Sequence, residues 1–236
     1  AAGVPYIILT DGKTTEDSTL NLESGKTVTI ASLRKTTPAV IEEKRVSPSA
    51  YQYLIKTAGT LTLDSVILKA NKTGTHTPDA NTFICGIQQN GGTVTVKGNT
   101  TEIRNFAHAV EIAGGTFTME DGSICENYVN GGEAGVNISG GTFVLNGGSI
   151  KDNEATNNVG GSISSGTFTM TGGEISGNKA KCFGGGISAC GGTVEISGGT
   201  INNNHAAKRT SGTPHEDVGG GGIYIANNCT VNFTGG

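Results

Sequence analysis

The chain has 236 residues, 39 of them glycine, and a formal net charge of −4 from 16 basic and 20 acidic side chains. It has no basic run and few aromatic residues, so it lacks the sequence signature of a nucleic-acid-binding protein. No apolar stretch reaches the length of a membrane span, and five cysteines without a CxxC pair do not support a zinc cluster.

A degenerate repeat begins near residue 25 and runs to the end of the chain. Residues 1–24 precede it and are predicted to form its N-terminal cap, because repeat proteins protect their terminal units with atypical segments. An insertion at 31–52 falls in the first copy and is predicted to extend the cap or to contact a partner. The clearest copies are GGTFTMEDGSICEN at 114–127, GGTFVLNGGSIKDN at 140–153, SGTFTMTGGEISGN at 165–178 and GGTVEISGGTINNN at 191–204.

The first strand predicted in each copy alternates polar and apolar residues. Successive side chains of an extended chain point to opposite sides, so the alternation predicts one buried and one exposed face. The outward column is Thr27, Thr60, Thr93, Thr116, Thr142, Thr167, Thr193 and Thr230. The two inward columns are Val28, Leu61, Val94, Phe117, Phe143, Phe168, Val194 and Val231, and Ile30, Leu63, Val96, Met119, Leu145, Met170, Ile196 and Phe233.

Two further strands are predicted in each copy, with glycine pairs at the corners between them. A single copy cannot bury its apolar face, whereas stacked copies share one core and pair their backbones. The sequence therefore predicts one all-β domain over residues 1–236, a parallel solenoid with three strands per coil and about seven to eight coils. The second strand is marked by Ile124, Ile150, Ile175 and Ile201, and the third by Ile87, Val110, Val136, Ile163, Ile187 and Ile223.

An asparagine ends the second strand of most copies. Stacked Asn side chains can hydrogen-bond along a solenoid axis, and Asn tolerates the left-handed backbone conformation of a corner. We therefore predict a structural ladder, which consists of Asn71, Asn127, Asn153, Asn178 and Asn204, with Asn105 one position later in its copy. At the C-terminus, TVNFTGG at 230–236 opens a further coil, so we expect the chain to continue in a longer protein.

The repeats resemble those of known surface proteins. GGTFTM at 114–119, GGGIS at 184–188 and GGGIYI at 220–225 are similar to repeats of large surface-exposed β-helix proteins of bacteria, and to the GGxI and FxxN repeats of chlamydial polymorphic membrane proteins. The similarity is closest over residues 91–236, although Ile replaces Phe before the Asn. The coil length also resembles the right-handed β-helix of the pectate-lyase-like superfamily. These resemblances imply right-handedness, an adhesin-like role and a bacterial cell-surface or extracellular location.

Relatives on this scaffold that cleave polysaccharides imply an alternative, a polysaccharide lyase or glycoside hydrolase. Such an enzyme needs clustered carboxylates and a base in one groove. The best candidates are Glu126 and Asp152, which occupy equivalent positions in consecutive copies, with Lys151 beside them. The acidic column stops there, since Gly177 and Asn203 follow, and no cofactor or metal site is predicted.

Two long loops follow the Asn corner and are predicted to protrude from one edge of the solenoid. Loops at such an edge vary without disturbing the core and commonly form binding surfaces. Residues 72–82 and 205–218 form these loops, whose candidate binding residues are Lys72, His76, Asp79, His205, Lys208, Arg209, His215, Glu216 and Asp217.

We therefore predict a non-enzymatic, adhesin-like module that binds a glycan or a host surface protein through its edge loops and lateral face. A third hypothesis comes from the outward threonines, which recur as TxT pairs in five copies. That pattern resembles the ice-binding face of some insect antifreeze solenoids. Thr is also favoured on the exposed side of any strand, and Val144, Glu195 and Asn232 interrupt the second column.

Overall fold

The computed structural model describes residues 6–9, 12–16, 18–43, 52–70, 84–130, 132–155, 161–181, 183–207 and 220–235. Every regular element in these ranges is a β-strand, and the strands pair in parallel in three sheets. The fold is therefore all-β with parallel sheets, as predicted, and is compatible with a β-solenoid.

A large sheet of fifteen strands carries the first and third strands predicted for each copy. Its strands are β1 (Tyr6–Leu9), β3 (Leu20–Leu22), β4 (Thr27–Ser32), β6 (Gln52–Thr57), β7 (Thr60–Asp64), β9 (Ile84–Lys97), β11 (His108–Met119), β14 (Val136–Ile138), β15 (Thr142–Leu145), β18 (Gly161–Ile163), β19 (Thr167–Met170), β22 (Ile187–Ala189), β23 (Gly192–Ile196), β26 (Ile223–Ile225) and β27 (Cys229–Phe233).

Two smaller sheets complete the structure. The eight-stranded sheet contains β2 (Lys13–Glu16), β5 (Ala39–Glu43), β8 (Val66–Ala70), β10 (Glu102–Arg104), β12 (Ser123–Cys125), β16 (Ser149–Lys151), β20 (Glu174–Ser176) and β24 (Thr200–Asn202). The four-stranded sheet contains β13 (Tyr128–Val129), β17 (Glu154–Ala155), β21 (Lys179–Ala180) and β25 (His205–Ala206).

The register of the first strands confirms both predicted inward columns. Phe117 pairs with Phe143 and Phe143 with Phe168, and their rings stack with centroids 5.4 and 5.7 Å apart. Side-chain burial in these columns decreases toward the ends of the chain, where Val28 and Val231 are only partly buried. These columns form one apolar core shared by consecutive copies of the repeat.

The predicted third-strand column is wrong in one copy. Val136 pairs with Gly161, whereas Ile163 pairs with Ile138 and Ala189, two positions further along. Gly161 therefore stands where neighbouring copies place a branched apolar side chain such as Ile87 or Val110. The missing side chain leaves an apolar hollow in the core beside it, lined among others by Val136, Ile163, Phe168 and Ile187.

The left-handed corner lies one residue before the predicted position. Asn105, Glu126, Asp152, Gly177 and Asn203 have φ values of 64, 55, 53, 64 and 52°, and each immediately precedes the ladder position. The prediction that Asn105 belongs to the ladder is therefore wrong, because Phe106 takes the ladder position of that copy and its amide donates to Asn127 Oδ1. Asn127, Asn153, Asn178 and Asn204 do not adopt positive φ, because their side chains have to point inward, as described below. The turn therefore falls on the residue that faces solvent.

Some segments predicted as loops or caps contain regular strands. The insertion at 31–52 includes β5, which pairs with β2 and β8 in the eight-stranded sheet. The predicted cap at 1–24 includes β1, β2 and β3, which pair with β4, β5 and β6. The four-stranded sheet was not predicted, because two-residue strands are too short to show an alternating pattern.

Candidate functional site

The asparagine ladder fills the corner between the eight-stranded and four-stranded sheets. Asn153 Nδ2 donates to Ile124 O at 3.1 Å and to Asn178 Oδ1 at 2.9 Å, and Asn178 repeats the pattern with Ile150 and Asn204. Asn127, Asn153 and Asn178 are at most 1% exposed. The amides of these three residues are occupied by the protein itself, so their side chains stabilise the corner and present no surface to a ligand. Asn71 lies outside the described residues.

The three candidate catalytic residues lie on the exposed rim of the same corner. Glu126 and Asp152 occupy the positive-φ column in adjacent copies, and all three side chains are exposed, including that of Lys151. The Glu126 carboxylate lies 3.5 Å from Arg104 Nη1. General acids are usually buried side chains, whereas Glu126 and Asp152 are both exposed.

Charged side chains on the eight-stranded sheet form ion pairs, one between two strands and one within a single strand. Lys69 Nζ lies 3.0 Å from Glu42 Oε1, and Arg104 Nε lies 2.9 Å from Glu102 Oε2. Sequence reasoning missed the pair of Glu42 with Lys69, because these residues become neighbours only through the register of β5 and β8. Among the described residues no group of three His, Cys, Asp or Glu side chains could hold a metal ion.

The candidate loop residues fall almost entirely outside the described part of the chain. This applies to Lys72, His76, Asp79, Lys208, Arg209, His215, Glu216 and Asp217. His205 was predicted in the second loop, but it begins β25, where its amide donates to Asn178 O at 2.8 Å. Its side chain remains exposed.

The described strands that follow the two predicted loops begin at the same edge of the large sheet. The first lies between the end of β8 at Ala70 and the start of β9 at Ile84, and the second between the end of β25 at Ala206 and the start of β26 at Ile223. Strands β9 and β26 belong to the same third-strand stack, through β11, β14, β18 and β22. Ile84 and Ile223 are the first residues of their strands, and parallel strands of one stack begin at the same edge of the sheet.

A continuous row of threonines forms the outer side of the first strands. All eight Thr residues of the predicted column pair in register, from Thr27 to Thr230. A second column two residues on holds Thr29, Thr62, Thr95 and Thr118 and then becomes mixed at Val144. We call the eight threonines of β4, β7, β9 and β11 in these two columns the Thr face.

The Thr face is uncharged but has a charged margin. Its residues are half-buried, apart from Thr60 and Thr93, which are exposed. Beside it, Asp64 Oδ2 lies 3.2 Å from Lys35 Nζ and 4.0 Å from Lys97 Nζ. The surface consists of hydroxyl and methyl groups repeated at the strand spacing of ~4.8 Å.

Sequence reasoning also missed an aromatic pair beside the third-strand stack of the large sheet, which includes Tyr224 of β26. The rings of Phe183 and Tyr224 lie with centroids 4.6 Å apart and planes tilted by 33°, and both residues are half-buried. Tyr224 pairs in register with Ser188. The pair joins residues 41 positions apart, and the only signal for it is the aromatic residue within GGGIYI.

The described cysteines carry free thiols. Burial, reinforced by the negative charge of Glu111, raises the pKa of Cys85 well above its usual range. Burial also raises the pKa of Cys125 and of Cys229, whose Sγ donates to Ala189 O at 3.1 Å. A nucleophilic cysteine needs the opposite shift, so these three thiols are poor candidates for chemistry.

No helix capable of crossing a membrane occurs in the described ranges. Comparisons of this chain with protein-family models, with curated proteins and with solved structures found no match.

Proposed function

We propose that this chain is a right-handed parallel β-helix of three strands per coil and about seven to eight coils, which acts as a non-enzymatic binding module. The module would be part of a bacterial secreted or cell-surface protein, adhesin-like, with a glycan or a host surface protein as its partner. The Thr face is the observation that carries the proposal, because it is a long, regular and uncharged surface held in place by the core.

The chemistry of this face suits a neutral, hydroxyl-rich partner. Each Thr hydroxyl can both donate and accept a hydrogen bond, as sugar hydroxyls do. Individual contacts of this kind are weak, but a surface that repeats at ~4.8 Å can engage a repeating polymer at several points at once. The edge of the large sheet at which β9 and β26 begin, where the two long loops are predicted, is a second contact region of the same module.

Two surface variants separate these regions in a glycan array and a mucin-binding assay. Thr62→Lys with Thr95→Lys places charge in the middle of the Thr face, and replacement of residues 208–217 by a Gly-Ser linker removes the second loop. Thr200→Lys, an exposed position on the eight-stranded sheet, is the matched control. We expect the control to bind like the wild type and at least one of the other variants to lose binding. Absence of wild-type binding to every glycan and mucin would contradict the proposal.

The enzyme alternative has its own test. Incubation with acidic and neutral polysaccharides should release no new reducing or unsaturated ends. Release that is abolished by Glu126→Gln or Asp152→Asn would replace the binding proposal with a lyase or hydrolase.

The unbroken register of the Thr face also favours a second candidate function, the binding of ice. Regularly spaced hydroxyl and methyl groups can order water in a fixed lattice across four adjacent strands. The measurement is the gap between melting and freezing points, with crystal shape, at micromolar protein concentrations. Thr95→Lys should close the gap, and a wild-type freezing curve identical to that of Thr95→Lys and of buffer removes this candidate.

A further inference from the structure

Two cysteines of adjacent copies lie at the same corner of the large sheet, where a third strand ends and the next first strand begins. Cys190 lies between β22 and β23, and Cys229 is the first residue of β27, which pairs with β23. In that register Cys229 stands opposite Gly192, two residues after Cys190. The stacking of the copies therefore brings together two thiols that are far apart in sequence.

The carbonyl group of Ala189 shows how close the two residues come. Its oxygen accepts hydrogen bonds from the Ala226 amide at 2.8 Å and from the Cys229 thiol at 3.1 Å. The same peptide group continues into Cys190, so standard backbone dimensions place Cys229 Sγ at most about 6 Å from the Cys190 Cα. A disulfide joins residues whose Cα atoms are roughly 4.4–6.8 Å apart. Side-chain rotation and a small shift of the exposed turn at 227–228 are then enough to bring the two sulfurs together.

The surroundings of the two thiols differ. Cys190 is exposed, with its Sγ 3.9 Å from Ser188 Oγ, whereas Cys229 is half-buried. Burial and, to a smaller extent, the neighbouring Cys190 raise the pKa of Cys229, so its thiol reacts slowly with reagents in solution. A small external disulfide therefore meets Cys190 first, and Cys229 reacts afterwards within the protein, where its target is held close to it.

We infer that Cys190 and Cys229 form a redox-dependent disulfide that links two adjacent copies of the repeat. First, the Cys190 thiolate attacks one sulfur of a low-molecular-weight disulfide such as oxidised glutathione, whose S–S bond breaks and releases one thiolate with the bonding electron pair. Next, Cys229 gives its proton to solvent, and its thiolate attacks Cys190 Sγ and expels the second small thiolate. The two protein thiols together lose two electrons, and the external disulfide is reduced to two thiols.

The bond would add a covalent link to copies that backbone pairing alone joins at this corner, through β22 with β26 and β23 with β27. It would be closed in an oxidising compartment and open in a reducing one. Neither thiol belongs to the Thr face, so this inference is independent of the proposed binding function.

The experiment uses the Cys182→Ser variant, because Cys182 lies outside the described residues and could compete as a partner. The folded protein and the protein in urea are equilibrated with mixtures of reduced and oxidised glutathione, quenched with acid and alkylated. Mass spectrometry should recover the tryptic peptides 182–208 and 210–236 as one disulfide-linked species. The glutathione ratio at half-linkage gives the effective concentration of the two thiols. We expect it to be about tenfold or more higher in the folded protein than in urea.

Three further variants in the Cys182→Ser background serve as controls. Cys190→Ser should give no linked peptides, and Cys229→Ser should hold Cys190 as a mixed disulfide with glutathione. Cys125→Ser, on the eight-stranded sheet, should link like its parent, and circular dichroism checks that all variants remain folded. An effective concentration in the folded protein equal to or below that in urea would overturn the inference. Linkage between two chains, seen on a non-reducing gel in place of the intramolecular bond, would overturn it as well.

Discussion

Asn153 Oδ1 accepts two hydrogen bonds from Asn127, one from its main-chain amide at 3.1 Å and one from its side-chain Nδ2 at 2.8 Å. A single carboxamide thus satisfies the backbone and the side chain of the preceding copy. With its own Nδ2 bound to Ile124 O and Asn178 Oδ1, Asn153 makes four hydrogen bonds through its side chain while fully buried.

Truncation of this side chain should be costly. Asn153→Ala leaves the buried main-chain amide of Asn127 without its acceptor and leaves Asn127 Nδ2 with Ile103 O alone, and we expect a loss of about 2–4 kcal/mol in the free energy of unfolding. Asn153→Asp keeps the shape and the acceptor but loses both donors, so it should also destabilise. Urea denaturation measures both variants. Asn146→Ala, an exposed control that loses one bond from Thr171, should change stability by less than about 0.5 kcal/mol.

The hollow beside Gly161 predicts a stabilising substitution. A Cβ at this position would lie 3.6 Å from Gly186 O and 3.9 Å from Val136 O, which are ordinary contacts, and the backbone does not adopt positive φ there. Gly161→Ala should therefore raise the free energy of unfolding by about 0.5–1 kcal/mol, because it restricts the unfolded chain and adds apolar contact.

The matched control for Gly161 is Gly92, a corner glycine with a φ of 65°. A Cβ there would collide with the Gly59 carbonyl oxygen. Gly92→Ala should lower the free energy of unfolding by more than about 2 kcal/mol. If thermal melts show equal effects for Gly161→Ala and Gly92→Ala, the assignment of Gly161 to the third-strand column is wrong.

The central ring of the Phe stack should matter more than a ring on the surface. Phe143 lies between Phe117 and Phe168 and is fully buried, so Phe143→Ala should cost about 3–5 kcal/mol. Phe183→Ala removes a half-buried ring from its pair with Tyr224 and should cost less than about 2 kcal/mol. Chemical denaturation gives the comparison, and a smaller loss for Phe143 than for Phe183 would contradict the shared core.

The buried thiol of Cys85 predicts a pH dependence. Its pKa is raised in the folded state, so the folded protein keeps the proton after the unfolded chain has released it. The contribution of Cys85 to stability is therefore constant below the unfolded pKa of about 8.5 and declines above it, by about 1.4 kcal/mol per pH unit. Urea midpoints from pH 7 to 10 should fall less steeply for Cys85→Ala than for the wild type. Equal slopes would show that this thiol does not contribute.

The sequence was sufficient to predict the parts of the fold that depend on the alternation of polar and apolar residues along a strand. The columns through Phe117 and Met119 follow from strict alternation, since each residue shows which side of the strand it occupies. Gly161 could not be recognised in the same way, because a glycine in a core column gives no apolar signal and Ile163 supplied a false one. The corner was misplaced because Asn is favoured at positive φ, whereas here Glu126 and Asp152 take that conformation and leave the asparagines free to face inward.

The candidate sites were less predictable than the fold. Equivalence in the repeat placed Glu126 and Asp152 in one column, but alignment does not show whether a carboxylate enters a cleft or reaches Arg104. The pairs of Asp64 with Lys35 and Lys97 likewise depend on side-chain direction and on strand neighbours far apart in sequence. The Thr face was predictable because the alternation of polar and apolar residues along each strand shows directly which side chains lie on its outer side.

Among the described strands, backbone pairing joins only adjacent copies of the repeat, and this affects the order in which the copies unfold. Within the described strands, the backbone partners of a strand come from the copy before and the copy after it. Melting can therefore proceed from the termini inward, one layer at a time, instead of in a single step. Amide protons should exchange with deuterated solvent first near Tyr6 and Phe233, and slowest around Phe143.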